Sequence, residues 1–561
     1  MRQRCVAALL GLVWVWAAGC SPFSPTDGGE PDAGVAAWLP GNTTGYLRLA
    51  DVPRLNKALA ESGIKGLLLR GLDLNEGPEA AEARAWIKLA EGAKALHVSF
   101  HGAREFPKGT QADVLLVADV GQAVRLQDWL PPRAAKAMAK ATTHRGVTLY
   151  RWPAEKLSVS GVFAASTGTY VLACTDLALL EDTLDAMKDG RRNSLARNQT
   201  YRRATEGLTE RDCLAYESIC QLMKTIAALT APYDRDDFYE VAEILSLADV
   251  RSLSMGVDYS LDAATVRVCM DPDSKAYQLL ARPGSRRVLP GYLPGDGVTL
   301  VSLAVGDGAE TWRKIKRHIS RKMLRLGTIK SLKEFDEYLE KAEKEANVSF
   351  DEIASHVQGE VGMFFHLRDR MPTGGFLCTV KDAARAKAFI ARVVAGSPLG
   401  KKPLKKHQCC EVEIHVAKDR HEDFVWAVVD NVAILSPHVE MVERCIQARK
   451  DKKTLDRAPA YGRVAALLPS RNCGLILLNL GALPFVMEVT ESIDGDGRRT
   501  EQTIERRGLT MPYLLATWAK GMLIGIAYTA EDGVIEVRVA QGRENILRSL
   551  WDATKGAMGD R

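Results

Sequence analysis

The chain has 561 residues, 46% hydrophobic and 26% charged, which excludes a disordered chain, a collagen and a polytopic membrane protein. That length exceeds what a single core fills, so at least two domains are expected. The 75 Lys and Arg against 70 Asp and Glu leave a net charge of +5, spread along the chain and too weak to make nucleic acid a partner.

Residues 1–19 read as a bacterial export signal. Arg2 and Arg4 open it, Val6 to Trp16 form an apolar run, and Ala17-Ala18-Gly19 lead to Cys20. The run is shorter than the roughly 20 residues a spanning helix needs. The stretch before Cys20 resembles the lipobox of bacterial lipoproteins, with Ala17 where leucine is usual. The resemblance implies acylation of Cys20, a lipid anchor and a location in the cell envelope. Ser21 after the cysteine follows the sorting pattern of outer-membrane lipoproteins facing the periplasm. Several acyl chains at about 0.8 kcal/mol per buried methylene hold a protein stably at a bilayer. Residues 20–37, rich in Pro, Gly, Ser and acid, read as a flexible tether.

The remainder repeats itself. Trp38-Leu39-Pro40-Gly41 with the apolar Tyr46 to Leu49 recurs as Tyr292-Leu293-Pro294-Gly295 with Val298 to Val301. Tyr170 to Ala173 matches Val432 to Leu435. Ser194-Leu195, Tyr201 and Cys213 match Thr454-Leu455, Tyr461 and Cys473. Gly256 to Tyr259 with Val266 to Val268 match Gly525 to Tyr528 with Ile535 to Val537. Order is kept and the spacing drifts slowly, as loop insertions produce. Two copies of one module are expected, at 38–283 and 291–546, with a junction at Arg282-Pro283-Gly284-Ser285 and a tail at 547–561.

Within each copy strand and helix patterns interleave. Val114 to Val117, Val159 to Phe163 and Val361 to Phe365 read as strands. Asp119 and Asp382 stand as N-caps before helices. Trp312, Ile315, Ile319, Met323 and Leu326 fall at helical spacing over Thr311 to Leu326. Ser331 with Glu334 forms a capping box for the next helix, whose buried side holds Leu332, Phe335 and Leu339. Tight turns at Tyr259 to Ala263 and Thr529 to Gly533 indicate hairpins. The expected class is α+β, two tandem modules of antiparallel sheet covered by helices. The Leu-Pro opening, the strand Tyr170 to Ala173 leading into a helix from Leu177, and the Ser194 to Tyr201 segment resemble an uncharacterised bacterial envelope family, domain of unknown function 3352. The resemblance would cover most of residues 38–546 and implies an envelope location without any activity.

No hydrolase elbow, zincin, CxxC, P-loop or correctly placed dinucleotide motif is present in the sequence. Catalytic residues and cofactors are therefore left unassigned. The strongest metal-type cluster is His407, Cys409, Cys410, His415 and His421, whose soft ligands suit zinc or copper. Lys401, Lys402, Lys405 and Lys406 just upstream oppose a cation, and the segment reads as a loop entering a strand, so no metal is expected. His97 and His101 share a strand face by their even spacing. Nine cysteines remain beyond Cys20 and their connectivity is open. The basic run Arg313, Lys314, Lys316, Arg317, Arg321, Lys322 and Arg325 suits either a solvated helix face or an anionic partner such as lipid, polysaccharide or an acidic protein. Asp494 to Gly497 reads as a turn rather than a calcium loop. The expected function is a membrane-anchored envelope protein that binds or scaffolds. The alternatives are an envelope hydrolase with a site between the modules and a carrier of an apolar ligand.

Overall fold

The computed structural model describes residues 33–61, 91–129, 136–152, 162–229, 247–479 and 523–542, apart from short gaps at 107–108, 137, 260–261, 283, 326, 369–370, 398–403 and 419–422. The export signal, Cys20, most of the tether, His421, Asp494 to Gly497 and the tail at 547–561 lie outside the described residues. The chain divides into two compact units, residues 1–271 with 544–561 and residues 272–543.

The class is α+β, and every described strand pairing within a unit is antiparallel. Unit 1 contributes β1 (Gly45–Leu49), β2 (Ala95–Phe106), β3 (Gly109–Asp119), β4 (Ala139–His144), β5 (Val147–Trp152), β6 (Val162–Thr167), β7 (Tyr170–Cys174), β8 (Cys213–Ser218), β9 (Val250–Val257) and β10 (Ala263–Met270). Their order across the sheet is β4-β5-β6-β7-β3-β2-β1-β8-β9-β10. Unit 2 contributes β11 (Val298–Asp307), β12 (Val357–Arg368), β13 (Met371–Val380), β14 (Lys405–Cys409), β15 (Val412–Ala417), β16 (Phe424–Val429), β17 (Val432–Ser436), β18 (Gly474–Asn479), β19 (Leu523–Glu531) and β20 (Val534–Gln541). Their order is β14-β15-β16-β17-β13-β12-β11-β18-β19-β20.

Buried and more exposed positions alternate along several strands, as in β8 and β11, and the helices pack against the sheets. In unit 1 these are α1 (Val52–Glu61), α2 (Leu177–Asp189), α3 (Gln199–Thr205) and α4 (Ile219–Leu229). Asp176 caps α2 by accepting from Ala178 N at 3.2 Å, and Gly190 ends it at φ 75°, a left-handed value that favours glycine. In unit 2 they are α5 (Gly308–Arg325), α6 (Leu332–Ala346), α7 (Phe350–His356), α8 (Ala383–Gly396), α9 (Val439–Asp451) and α10 (Pro459–Leu467). Helix α9 buries Met441, Val442, Cys445 and Ile446, two adjacent pairs one turn apart, against Leu300, Phe364, Leu377, Ile434 and Leu477 of the sheet.

The Leu-Pro-Gly segments clamp a second loop. In unit 1, Gly41 N donates to Asn193 O and Leu195 N to Leu39 O, both at 2.9 Å. In unit 2, Gly295 N donates to Lys453 O at 3.0 Å and Leu455 N to Leu293 O at 2.9 Å. Each loop continues through one 3-10 turn, Leu195–Arg197 or Leu455–Arg457, into α3 or α10.

Several local expectations need correction. Asp382 does cap α8 through Arg385 N at 2.9 Å, but Asp119 accepts from Gly121 N and makes a turn instead of opening a helix. Ser331 accepts from Glu334 N at 3.2 Å, yet the Glu334 carboxylate reaches Lys330 N, one residue earlier than a standard capping box. Leu332 was expected inside and is 45% exposed. It is the first residue of α6.

Candidate functional site

A polar cluster of unit 1 lies beside the Leu39-Pro40-Gly41 loop. Tyr46 Oη is 2.7 Å from His97 Nδ1, and Ser99 Oγ is 2.8 Å from His101 Nε2. Thr43 Oγ1 donates to Pro40 O at 2.6 Å and lies 3.4 Å from His101 Nδ1. The two histidines do not share simple strand alternation. The β2–β3 register slips between Phe100 and Gly102, making His101 the extra residue of a bulge and turning its ring back onto Ser99. A serine hydroxyl against an imidazole is the first element of a nucleophile and base pair. Burial, reinforced by Arg191, pushes His101 down to about 4, which makes it a weak proton acceptor. Ser99 is 2% exposed. The cluster thus satisfies the polar groups of a buried bulge.

His366 on β12 occupies the matching corner of unit 2. It is buried, with Arg444 Nη1 3.4 Å from its Nδ1, and Arg444 Nη2 reaches Asp296 at 3.1 Å. Gly297 lies so close that a Cβ there would sit 3.0 Å from His366 Nε2. Sequence reasoning did not single out His366, because its partners come from segments 70 and 78 residues away.

The structure splits the metal-type cluster. Lys406 faces His415 across the β14–β15 hairpin, so His407, one residue on, lies on the opposite face. His407 pairs with Glu443 of α9, and Cys410 Sγ contacts Gln447 Oε1 at 2.9 Å. The Cys409 and Cys410 sulfurs are 3.8 Å apart. His415 instead stacks on Trp426, centroids 4.0 Å apart and 9° from parallel, with Nε2 2.8 Å from Glu413 Oε1. Among the described residues no group of three His, Cys, Asp or Glu side chains is placed to hold a metal ion.

The nine described cysteines are free thiols. Burial pushes Cys174, Cys213 and Cys445 up to about 12, and burial together with Cys410 pushes Cys409 up to about 11. Such thiols carry little thiolate at neutral pH and are poor nucleophiles and ligands. The turn between Cys409 and Val412 has its own character. Cys410 at φ 51° and Glu411 at φ 70° are both left-handed between the paired Cys409 and Val412, the geometry that prefers Asn-Gly. Glu411→Gly should raise the unfolding free energy by up to about 1 kcal/mol, read by chemical denaturation; a loss of stability would refute the strain.

A cavity of about 490 Å³ in unit 2 is lined by Glu340, Glu343, Lys344, Asn347, Glu352 and Arg392 among others. Glu352 and Arg392 pair with each other within it. This charged lining does not suit an apolar ligand. One carboxyl of unit 1 does sit among apolar neighbours. Glu217 on β8 faces Gly45, where a Cβ would come within 2.8 Å of its Oε2, and burial pushes it up to about 7.

Two exposed aromatic groups lie on the unit 2 sheet. Phe376 is 60% exposed and Phe365 41%. Met363 faces Phe376 and Gly374 faces Phe365, so the two rings are diagonal neighbours on one face. Among the described residues no helix is long and apolar enough to cross a membrane.

A family model described as "Protein of unknown function (DUF3352)" matches residues 93–392, more than half of the chain. The chain belongs to this family. The DUF3352 match runs from the start of β2 into α8, a narrower span than residues 38–546. No curated protein matches in sequence. Three solved structures of TP0453 are similar at a low level. Crystal form IV aligns at 11% identity over 43% of this chain and 83% of that one, with a TM-score of 0.25. Form III aligns at 10% identity over 45% and 89%, with a TM-score of 0.25. Form I aligns at 10% over 45% and 88%, with a TM-score of 0.24.

Proposed function

We propose that this DUF3352 chain is a lipoprotein of the bacterial envelope, anchored through acylated Cys20 at the outer membrane and facing the periplasm. Its two units are copies of one module, and it binds or scaffolds another envelope protein without catalysing a reaction. The observation that carries the binding reading is the aromatic pair Phe365 and Phe376. Large aromatic groups left open together on a sheet face mark interaction surfaces in soluble proteins. The ring of Phe365 lies over Gly374, 3.2 Å from where a Cβ would be, which supports one edge of a flat apolar platform for a protein partner with its own apolar surface.

Duplication is supported by the strand orders, in which each strand of unit 1 has its counterpart ten strands later, and by the recurrence of the Leu-Pro-Gly clamp. The anchor is supported by the signal and the residues before Cys20.

The test places a photo-crosslinking side chain at position 376 in cells. Crosslinks to one envelope protein, lost when Phe365→Ser is added, are the expected result. Crosslinks confined to lipid would favour the carrier, and none at all would overturn the binding reading. Mass spectrometry of the membrane-extracted chain checks the anchor separately, through diacylglycerol on Cys20.

A further inference from the structure

Helix α5 carries an unusual distribution of charge. Its residues from Thr311 to Arg325 include seven Lys and Arg and no acid. At 100° per residue, Arg313, Arg317, Arg321 and Leu324 fall on one stripe, and all four are exposed. The opposite side packs on α7 and on β11 and β12.

Two neighbouring carboxylates are paired with lysines. Glu310 pairs with Lys314 at 2.8 Å, and Asp336 of α6 pairs with Lys316 at 2.9 Å. Among the described residues Arg317 and Arg321 form no ion pair, and Arg313 shares with Lys314 the attraction of the single Glu310 carboxylate. Like charges at i and i+4 cost a helix about 0.2 to 0.5 kcal/mol per pair, so this ladder works against the helix that carries it. Nor does the fold demand it. Helix α1, which follows the first strand of unit 1, carries only Arg54 and Lys57, and Arg54 is paired with Asp212 at 3.1 Å.

We propose that the arginine ladder of α5 is a docking surface for an anionic phospholipid bilayer. Three guanidinium groups in line over about 12 Å of helix can each engage a phosphate in bidentate fashion. Leu324 on the same stripe gives this line the apolar contact that an interfacial surface uses and a soluble polyanion does not. The proposal builds on the membrane-anchored reading but uses different residues. The anchor holds the chain near a bilayer, and α5 would set which side of unit 2 lies against it.

The test uses the chain from residue 20 onward with Cys20→Ser, so that no acyl chain is attached. Sedimentation is compared with vesicles of phosphatidylglycerol and phosphatidylcholine (about 3:7) and with phosphatidylcholine alone. Binding is expected only to the anionic vesicles and is expected to weaken with salt. Each arginine should contribute about fivefold, so Arg317→Gln with Arg321→Gln should weaken binding about 25-fold while the melting curve stays unchanged. Equal binding to neutral vesicles, or an unaffected double variant, would overturn the proposal. So would binding to dextran sulfate without binding to vesicles, which would assign the ladder to a polysaccharide. Loss of diacylglycerol on Cys20 would instead refute the anchor and leave this result standing.

Discussion

Replacing Glu360 by alanine should destabilise unit 2 by about 3 to 5 kcal/mol, the largest effect expected from any single polar substitution in this chain. Glu360 enters the sheet at the start of β12 and is 2% exposed; Arg287, 3.4 Å away, is 3% exposed. One carboxylate oxygen accepts from Val288 N at 2.8 Å and Leu289 N at 3.1 Å, which fixes the chain just before the Leu293-Pro294-Gly295 clamp. Arg287 donates in turn from Nη2 to Asn472 O at 2.7 Å, tying that segment to the loop before β18. Removing Glu360 would leave two backbone donors without their acceptor and a buried guanidinium without its counter-charge. Burial already holds Arg287 below its ordinary range, and the Glu360 charge is what chiefly opposes that shift. The double variant Arg287→Met, Glu360→Leu should recover much of the loss, because an apolar pair carries no desolvation penalty. Hydrogen exchange of peptides from β11 to β13 measures both. Unchanged protection in Glu360→Ala would show that the pair is not needed.

Much of this architecture was legible in the sequence, and the reasons differ by element. The antiparallel pairings of β9 with β10 and of β19 with β20, and the cap at Asp382, follow from local features, and they read correctly. The buried ion pair was not legible, because Arg287 and Glu360 lie 73 residues apart and nothing in either neighbourhood marks the other. The bulge at His101 escaped for a related reason. Periodicity assumes unbroken alternation, and one inserted residue changes which way a side chain points. The metal-type cluster failed on geometry invisible to composition, since His407 and His415 sit on opposite faces of one hairpin.

The pH dependence of unit 1 should show two opposed slopes, visible only after one is removed. His101 is lowered from 6.5 to about 4, chiefly by burial. Its contribution is therefore complete above pH 6.5, where both folded and unfolded forms are neutral, and is lost as the pH falls toward 4 and the unfolded chain gains the proton first. Glu217 is raised from 4.5 to about 7 by burial. Its contribution is complete below pH 4.5 and is lost as the pH rises toward 7, because the unfolded chain ionises first. Discounted for residual exposure, each amounts to about 2 kcal/mol, and the two windows overlap almost entirely. The unaltered chain should thus show nearly constant unit 1 stability between pH 4.5 and 7. His101→Gln should leave the Glu217 slope, with stability falling as pH rises. Glu217→Gln should leave the His101 slope, with stability falling as pH drops. Hydrogen exchange of β2 and β8 peptides at several pH values separates the three curves, and parallel curves would show that neither group is shifted in the folded chain. The same pair bears on the Ser99 contact. An imidazole that stays neutral until about pH 4 keeps its hydrogen bond to Ser99 across that range, as a structural bulge requires and as a general base poised near neutrality would not.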